Sequence, residues 1–88
     1  MNPEVQVLVL YFAKSSELSG VKSETISVQS ELNSLQLWQQ LELRHPKLSV
    51  IREQVVLAVR REYVALGEHR VHLQHGDEVA IIPPLSGG

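Results

Sequence analysis

The sequence Glu78-Val79-Ala80-Ile81-Ile82-Pro83-Pro84-Leu85-Ser86-Gly87-Gly88 decides how the fold is read, because it breaks in the middle. Glu78 to Ile82 predicts a strand whose last four positions are apolar without alternation, the pattern of a strand covered on both faces. Pro83 and Pro84 have no amide hydrogen to give to a ladder, so the strand stops before them. Outward from there, Val5 to Phe12 (VQVLVLYF) is also apolar at nearly every position and loses alternation after Gln6. It reads as a second strand covered on both faces, and the two are expected to be neighbours at the centre of a sheet.

Between them the pattern changes. Ala13 to Leu18 predicts a short helical turn, with Gly20 placed to end it in a left-handed conformation. Lys22 to Val28 alternates, with Ile26 and Val28 on one face and Thr25 and Ser27 on the other, as in a half-buried partner strand. Asn33 or Ser34 can cap a helix running to about Arg44, with Leu35, Trp38 and Leu41 as its apolar stripe and Leu37 flanking it. His45 precedes Pro46, which ends that helix. Gln54 to Arg60 predicts a strand, Arg60 to Glu62 a turn before Tyr63 and Val64, and Val71 to Leu73 a short strand. A His75-Gly76-Asp77 turn leads into the final strand.

Two hairpins across one face of a single amphipathic helix bury Leu35, Trp38 and Leu41 economically. The expected class is α+β, a β-grasp (ubiquitin-like) mixed sheet packed on one main helix. Residues 1–82 form the domain and residues 83–88 an extended, flexible C-terminal tail.

With 88 residues there is one small core and little volume for an enclosed active site, which favours a carrier, adaptor or subunit. The net charge is −2 with no block of basic residues, so neither nucleic acid nor an anionic membrane is an expected partner. There is no cysteine, which removes disulfides, a thiolate nucleophile and a sulfur-ligand zinc site. Met1-Asn2-Pro3-Glu4 lacks the positive end of a secretory signal, and the apolar run Val7 to Ala13 is too short to span a bilayer. The expected location is the cytosol.

The tail carries the chemistry. Paired prolines favour an extended backbone that loses less entropy when gripped. Six residues from Pro83 onward reach roughly 20 Å when fully extended. Gly87 and Gly88 are only backbone wide, so a narrow tunnel admits them and a nucleophile reaches the terminal carbonyl unhindered. A free carboxylate acylates poorly, so reaction at Gly88 needs prior activation, most simply adenylation by ATP on a separate enzyme. The mixed anhydride can then pass to sulfur, giving a thiocarboxylate, or to an amine, giving a conjugate.

The stretch Gly76-Asp77-Glu78-Val79-Ala80-Ile81-Ile82-Pro83-Pro84-Leu85-Ser86-Gly87-Gly88 resembles the ending of the small, sulfur-carrying subunits of molybdopterin synthase. Val9-Leu10-Tyr11-Phe12-Ala13, with Glu17-Leu18 and Gly20, is similar to that family's first strand and turn. The resemblance implies a β-grasp carrier whose Gly88 is adenylated by a ubiquitin-activating-like enzyme, which uses ATP and installs sulfur as a thiocarboxylate. It implies that Gly87, Ser86, Leu85, Pro84 and Pro83 insert with Gly88 into a large subunit holding cyclic pyranopterin monophosphate. Two sulfur transfers then build the dithiolene of molybdopterin. It further implies a heterotetramer of two small and two large subunits, with no cofactor bound to this chain. Phe12, Tyr63 and Ile82 correspond to the family's apolar patch against the large subunit. Ser16 and Arg60 depart from bacterial relatives, which often carry Arg and Asn there.

Other candidates read as structural. His69, His72 and His75 are spaced by three, which puts successive side chains on opposite faces of a strand, so they are read as solvent-facing and not as metal ligands. Trp38 is expected in the core, and Phe12 and Tyr63 either there or at an interface. Asp77 is expected to serve a turn, and Arg60 and Arg61 to be solvated. Ser15 and Ser16 have no neighbouring base and make no nucleophile motif. The rival functions are a carrier of the same fold for tRNA thiolation or thiamine synthesis, a protein modifier, and an interaction domain with an incidental tail.

Overall fold

The computed structural model describes residues 3–83. The expectations for Pro84, Leu85, Ser86, Gly87 and Gly88 therefore lie outside the described residues. In chain order the described residues form β1 (Glu4–Tyr11), α1 (Lys14–Ser19), β2 (Ser23–Gln29), β3 (Glu31–Asn33) and α2 (Ser34–Arg44). A 3-10 helix, Pro46–Ile51, then leads to β4 (Val56–Val59), β5 (Glu62–Ala65), β6 (Arg70–His72) and β7 (Glu78–Ile82). The five-stranded sheet has the order β2-β1-β7-β4-β5, and β3 pairs with β6 in a separate ribbon.

The two apolar strands are neighbours, as their composition predicts. β1 and β7 run parallel, with Leu8, Val9, Leu10 and Tyr11 opposite Glu78, Val79, Ala80 and Ile81. β2 joins the free side of β1 and β4 the free side of β7, both antiparallel. A mixed sheet with this parallel pair at its centre and α2 across one face is the expected β-grasp fold.

Coverage on both faces is corrected. Val7, Val9, Tyr11, Val79 and Ile81 are buried, whereas Leu8, Leu10, Ala80 and Ile82 are only half-buried. The core, with Trp38, Leu37 and Leu41 of α2 at its centre, lies on one face of the sheet. An apolar run without alternation means both faces are apolar; it does not mean that the chain itself covers both.

α2 begins where its cap chemistry says. Asn33 Oδ1 accepts the Gln36 N–H at 2.7 Å and Gln36 Oε1 accepts the Asn33 N–H at 2.9 Å, a reciprocal capping box. Its buried face is Ser34, Leu37, Trp38 and Leu41, with Leu35 only half-buried. The stripe is turned because the Ser34 hydroxyl donates to Ala65 O at 2.7 Å and accepts the Gly67 N–H at 2.9 Å. A serine with both bonds made is comfortable inside. Trp38 is fully buried, and its indole N–H donates to Glu42, whose carboxylate also takes Arg52. His45 closes the helix before Pro46 with φ −137°.

The 3-10 helix and β3 have no counterpart in the sequence reading. The first supplies Leu48 and Ile51 to the core, and the second is only three residues long. The β4–β5 hairpin turns through Arg60 and Arg61 at φ 49° and 69°, the left-handed pattern of a type I′ turn that normally favours Asn or Gly.

Replacing Trp38 with Ala should lower unfolding stability by about 3–5 kcal/mol. Arg61→Gly relieves a left-handed side chain and should raise it by roughly 1 kcal/mol. Urea midpoints of the two variants against the parent chain check both signs.

Candidate functional site

β7 leads into the tail, and its end is held from several sides. Ile81 lies between Tyr11 of β1 and Leu57 of β4, and Ile82 lies opposite Val56. Pro83, the last described residue, is buried. Because β1 and β7 are parallel, the chain leaves both strands at the same edge of the sheet. There the Phe12 N–H donates to Ile81 O at 3.3 Å. The Ser15 hydroxyl donates to Phe12 O at 2.6 Å and lies 3.5 Å from Ile81 O.

The turn that makes this contact is unusual. Ala13 has φ 51° and ψ −127°, and Ser15 N–H donates to Phe12 O at 3.0 Å. This matches a type II′ turn with alanine where glycine is the rule, a conformation that costs about 1–3 kcal/mol for an L side chain. α1 then runs to Gly20, whose φ of 81° ends it in the expected left-handed cap.

The outer face of the sheet, away from α2, is apolar across its middle. Register places Leu10, Ala80, Ala58 and Tyr63 in one row and Ile82, Val56 and Ala65 in the next. Phe12 is 50% exposed and Tyr63 76% exposed. The structure thus brings Ile82 and Tyr63 to one face, with Phe12 at its rim beside the tail root. Leu10, Val56, Ala58 and Ala80 belong to the same face and were missed by sequence reasoning. Their signal was the absent alternation in β1 and β7.

The small side chains of Ala58 and Ala80 leave a hollow of about 380 Å³ beside Leu10, edged by Arg60, Arg61 and Glu78. Arg60 is not merely solvated, since it donates to Asp77 at 2.5 Å. Asp77 serves its turn, accepting the Gln74 N–H at 2.8 Å.

On the inner face the end of β1 is pinned by charge. The buried Tyr11 hydroxyl donates to Glu24 Oε2 at 2.6 Å, His45 Nε2 lies 2.6 Å from the same oxygen, and Arg44 donates to Glu24 Oε1 at 3.4 Å. Burial, and then the bond to Glu24, push the Tyr11 hydroxyl above its usual range. Burial also pushes the Glu24 carboxyl upward, but hydrogen bonds from Tyr11 and His45, with the positive charge of Arg44, outweigh it and hold the group below the usual range.

His69, His72 and His75 are all exposed, and His75 Nδ1 accepts the Gln6 N–H at 3.4 Å. Among the described residues no group of three or more His, Cys, Asp or Glu is placed to hold a metal. Among them, too, no helix is long and apolar enough to cross a membrane.

The sequence pattern of the ThiS family matches residues 9–88. The chain belongs to the ThiS family. Among its relatives, the human molybdopterin synthase sulfur carrier subunit is 59% identical over 88 residues, covering 100% of each chain. The Chlamydomonas reinhardtii protein of the same name is 43% identical over 96% of this chain and 100% of its own. In structure, this ThiS-family chain is similar to SAMP1 from Haloferax volcanii, with a TM-score of 0.76 and 25% identity over 94% of this chain and 99% of that one. The family resemblance drawn from the first strand and the last thirteen residues is met along the whole length.

Glu24 has a folded pKa below its unfolded one, so its contribution is complete above the unfolded carboxylate value of about 4.3 and is lost as pH falls through the folded value. Glu24→Gln should therefore be less stable than the parent at pH 7 and approach it in strong acid. Chemical unfolding between pH 7 and pH 2 measures the convergence.

Proposed function

We propose that this ThiS-family chain is the sulfur-carrier small subunit of molybdopterin synthase. One observation carries the reading: the strand that feeds Pro83-Pro84-Leu85-Ser86-Gly87-Gly88 is itself the middle strand of an open apolar face. A surface that docks and a tether that reaches beyond it start from the same strand. The identity with named sulfur carrier subunits over the full chain supports the same conclusion.

In this reading the Gly88 carboxylate attacks the α-phosphorus of ATP on a separate ubiquitin-activating-like enzyme, and pyrophosphate leaves. Sulfide-level sulfur from a donor then attacks the acyl carbon and AMP leaves, giving the thiocarboxylate with no change of oxidation state. The carrier docks on the large subunit through Phe12, Tyr63, Ile82 and the alanine row between them, where burying apolar surface drives association. Leu85, Ser86 and Gly87 carry the sulfur inward, and glycine at the tip keeps the passage one backbone wide. The thiocarboxylate delivers sulfur to cyclic pyranopterin monophosphate, and a second loaded carrier completes the dithiolene. Acid–base groups and the pterin pocket belong to the large subunit, and the assembly holds two small and two large chains. The cytosol is the proposed location, and this chain binds no cofactor of its own.

Gly88 has no side chain to give to a core, whereas without it sulfur has nowhere to be carried. Removing Gly88 should abolish molybdopterin formation in a system reconstituted with large subunit and activating enzyme, while thermal unfolding is unchanged. Intact mass after incubation with activating enzyme, ATP and a sulfur donor should show oxygen-to-sulfur exchange in the parent only. Lysine-linked adducts in place of exchange would turn the assignment toward a protein modifier.

A further inference from the structure

Ser15 has no part in the chemistry above, yet its hydroxyl is fully buried at the edge where β1 and β7 both end. It donates to Phe12 O at 2.6 Å and lies 3.5 Å from Ile81 O, so one hydroxyl spans a carbonyl just beyond β1 and one near the end of β7. Two residues before it, Ala13 sits at φ 51° and ψ −127°, a conformation that alanine by itself leaves for the ordinary α or β regions. Three bonds oppose that relaxation: the Ser15 N–H to Phe12 O at 3.0 Å, the Phe12 N–H to Ile81 O at 3.3 Å, and the Ser15 hydroxyl to Phe12 O, the one that a side-chain change removes. Phe12 carries a half-exposed ring on this strained turn.

We propose that Ser15 is a positioning residue, clamping the strained Ala13 turn so that the Phe12 ring and the tail root at Ile81 to Pro83 meet the large subunit as one rigid edge. This rests on the function proposed above. With the clamp in place, the ring and the tail root are ordered before docking, and binding does not have to order them. Without it the turn relaxes, the Phe12–Ile81 bond opens, and the two anchors move independently.

The strain makes the proposal testable in a way that simple core filling is not. If Ser15 acts by holding an unfavourable turn, glycine at position 13 removes the need for it, although glycine brings no new contact. The full chain in its carboxylate form is titrated calorimetrically against the molybdopterin synthase large subunit. Ser15→Ala should weaken binding about tenfold, and Ser15→Ala combined with Ala13→Gly should recover to within about threefold of the parent. Amide hydrogen exchange of the free chain provides the second reading: the Phe12 amide should exchange about tenfold faster in Ser15→Ala and slow again in the double variant.

Binding by Ser15→Ala equal to the parent overturns the proposal, and so does a loss that Ala13→Gly does not repair. Failure of the parent itself to bind would refute the functional reading and not the clamp. In that case the Phe12 amide still decides, and exchange unchanged by Ser15→Ala overturns the clamp on its own.

Discussion

The parallel pairing of β1 with β7 is the constraint on which the rest of the structure depends. It brings residues 8–11 against residues 78–81, and flanking bonds extend it, with Leu8 N–H donating to Asp77 O at 2.9 Å and Gly76 N–H to Gln6 O at 2.8 Å. With that pair in the middle, each hairpin has only its outer side to add to, β2 on one flank and β4 with β5 on the other. The direction matters as much as the adjacency. Parallel strands end at the same edge, so Phe12 and Pro83 leave the sheet together. An antiparallel pair would have put them at opposite ends, and no single partner surface could grip both closely.

The two faces of this sheet do different work with similar residues. Val7, Val9, Val79 and Ile81 pack against α2, where Trp38, Leu37 and Leu41 fill the space. Leu10, Ala80, Ala58 and Ile82 look outward and stay partly exposed. Contiguous apolar surface on a small protein marks an interaction site more often than a flaw. The alanines at its centre lower the surface into a hollow, while Arg60, Arg61 and Glu78 at its edge discourage the indiscriminate sticking that an unbroken apolar face invites.

Local chemistry made a large part of this architecture legible. The Asn33 cap, the Gly20 terminator, the His45-Pro46 stop and the limits of β7 each depend on residues within a turn of one another, and each stands where the side chains place it. Phe12, Tyr63 and Ile82 were legible as candidates through the family resemblance, and the register of the sheet shows why Tyr63 and Ile82 share a face. What escaped depends on distant partners. β3 is three residues long and is defined only by its pairing with β6. Ser34 faces the core because of carbonyls more than thirty residues ahead. Ser15 reads as an unremarkable hydroxyl until Ile81, 66 residues away, is brought beside it. The unusual backbone of Ala13 has no compositional mark at all, since glycine is what that geometry normally announces.

The central position of the last strand also has a consequence for synthesis. A chain still emerging from the ribosome lacks β7, so the β1–β2 and β4–β5 pairs have no strand to join them into one sheet. The row of Leu10, Ala80, Ala58 and Tyr63 cannot assemble until translation has passed Ile82. A product that ends before Ile82 therefore offers no finished recognition surface, and any protein that selects for that surface rejects it without inspecting its end.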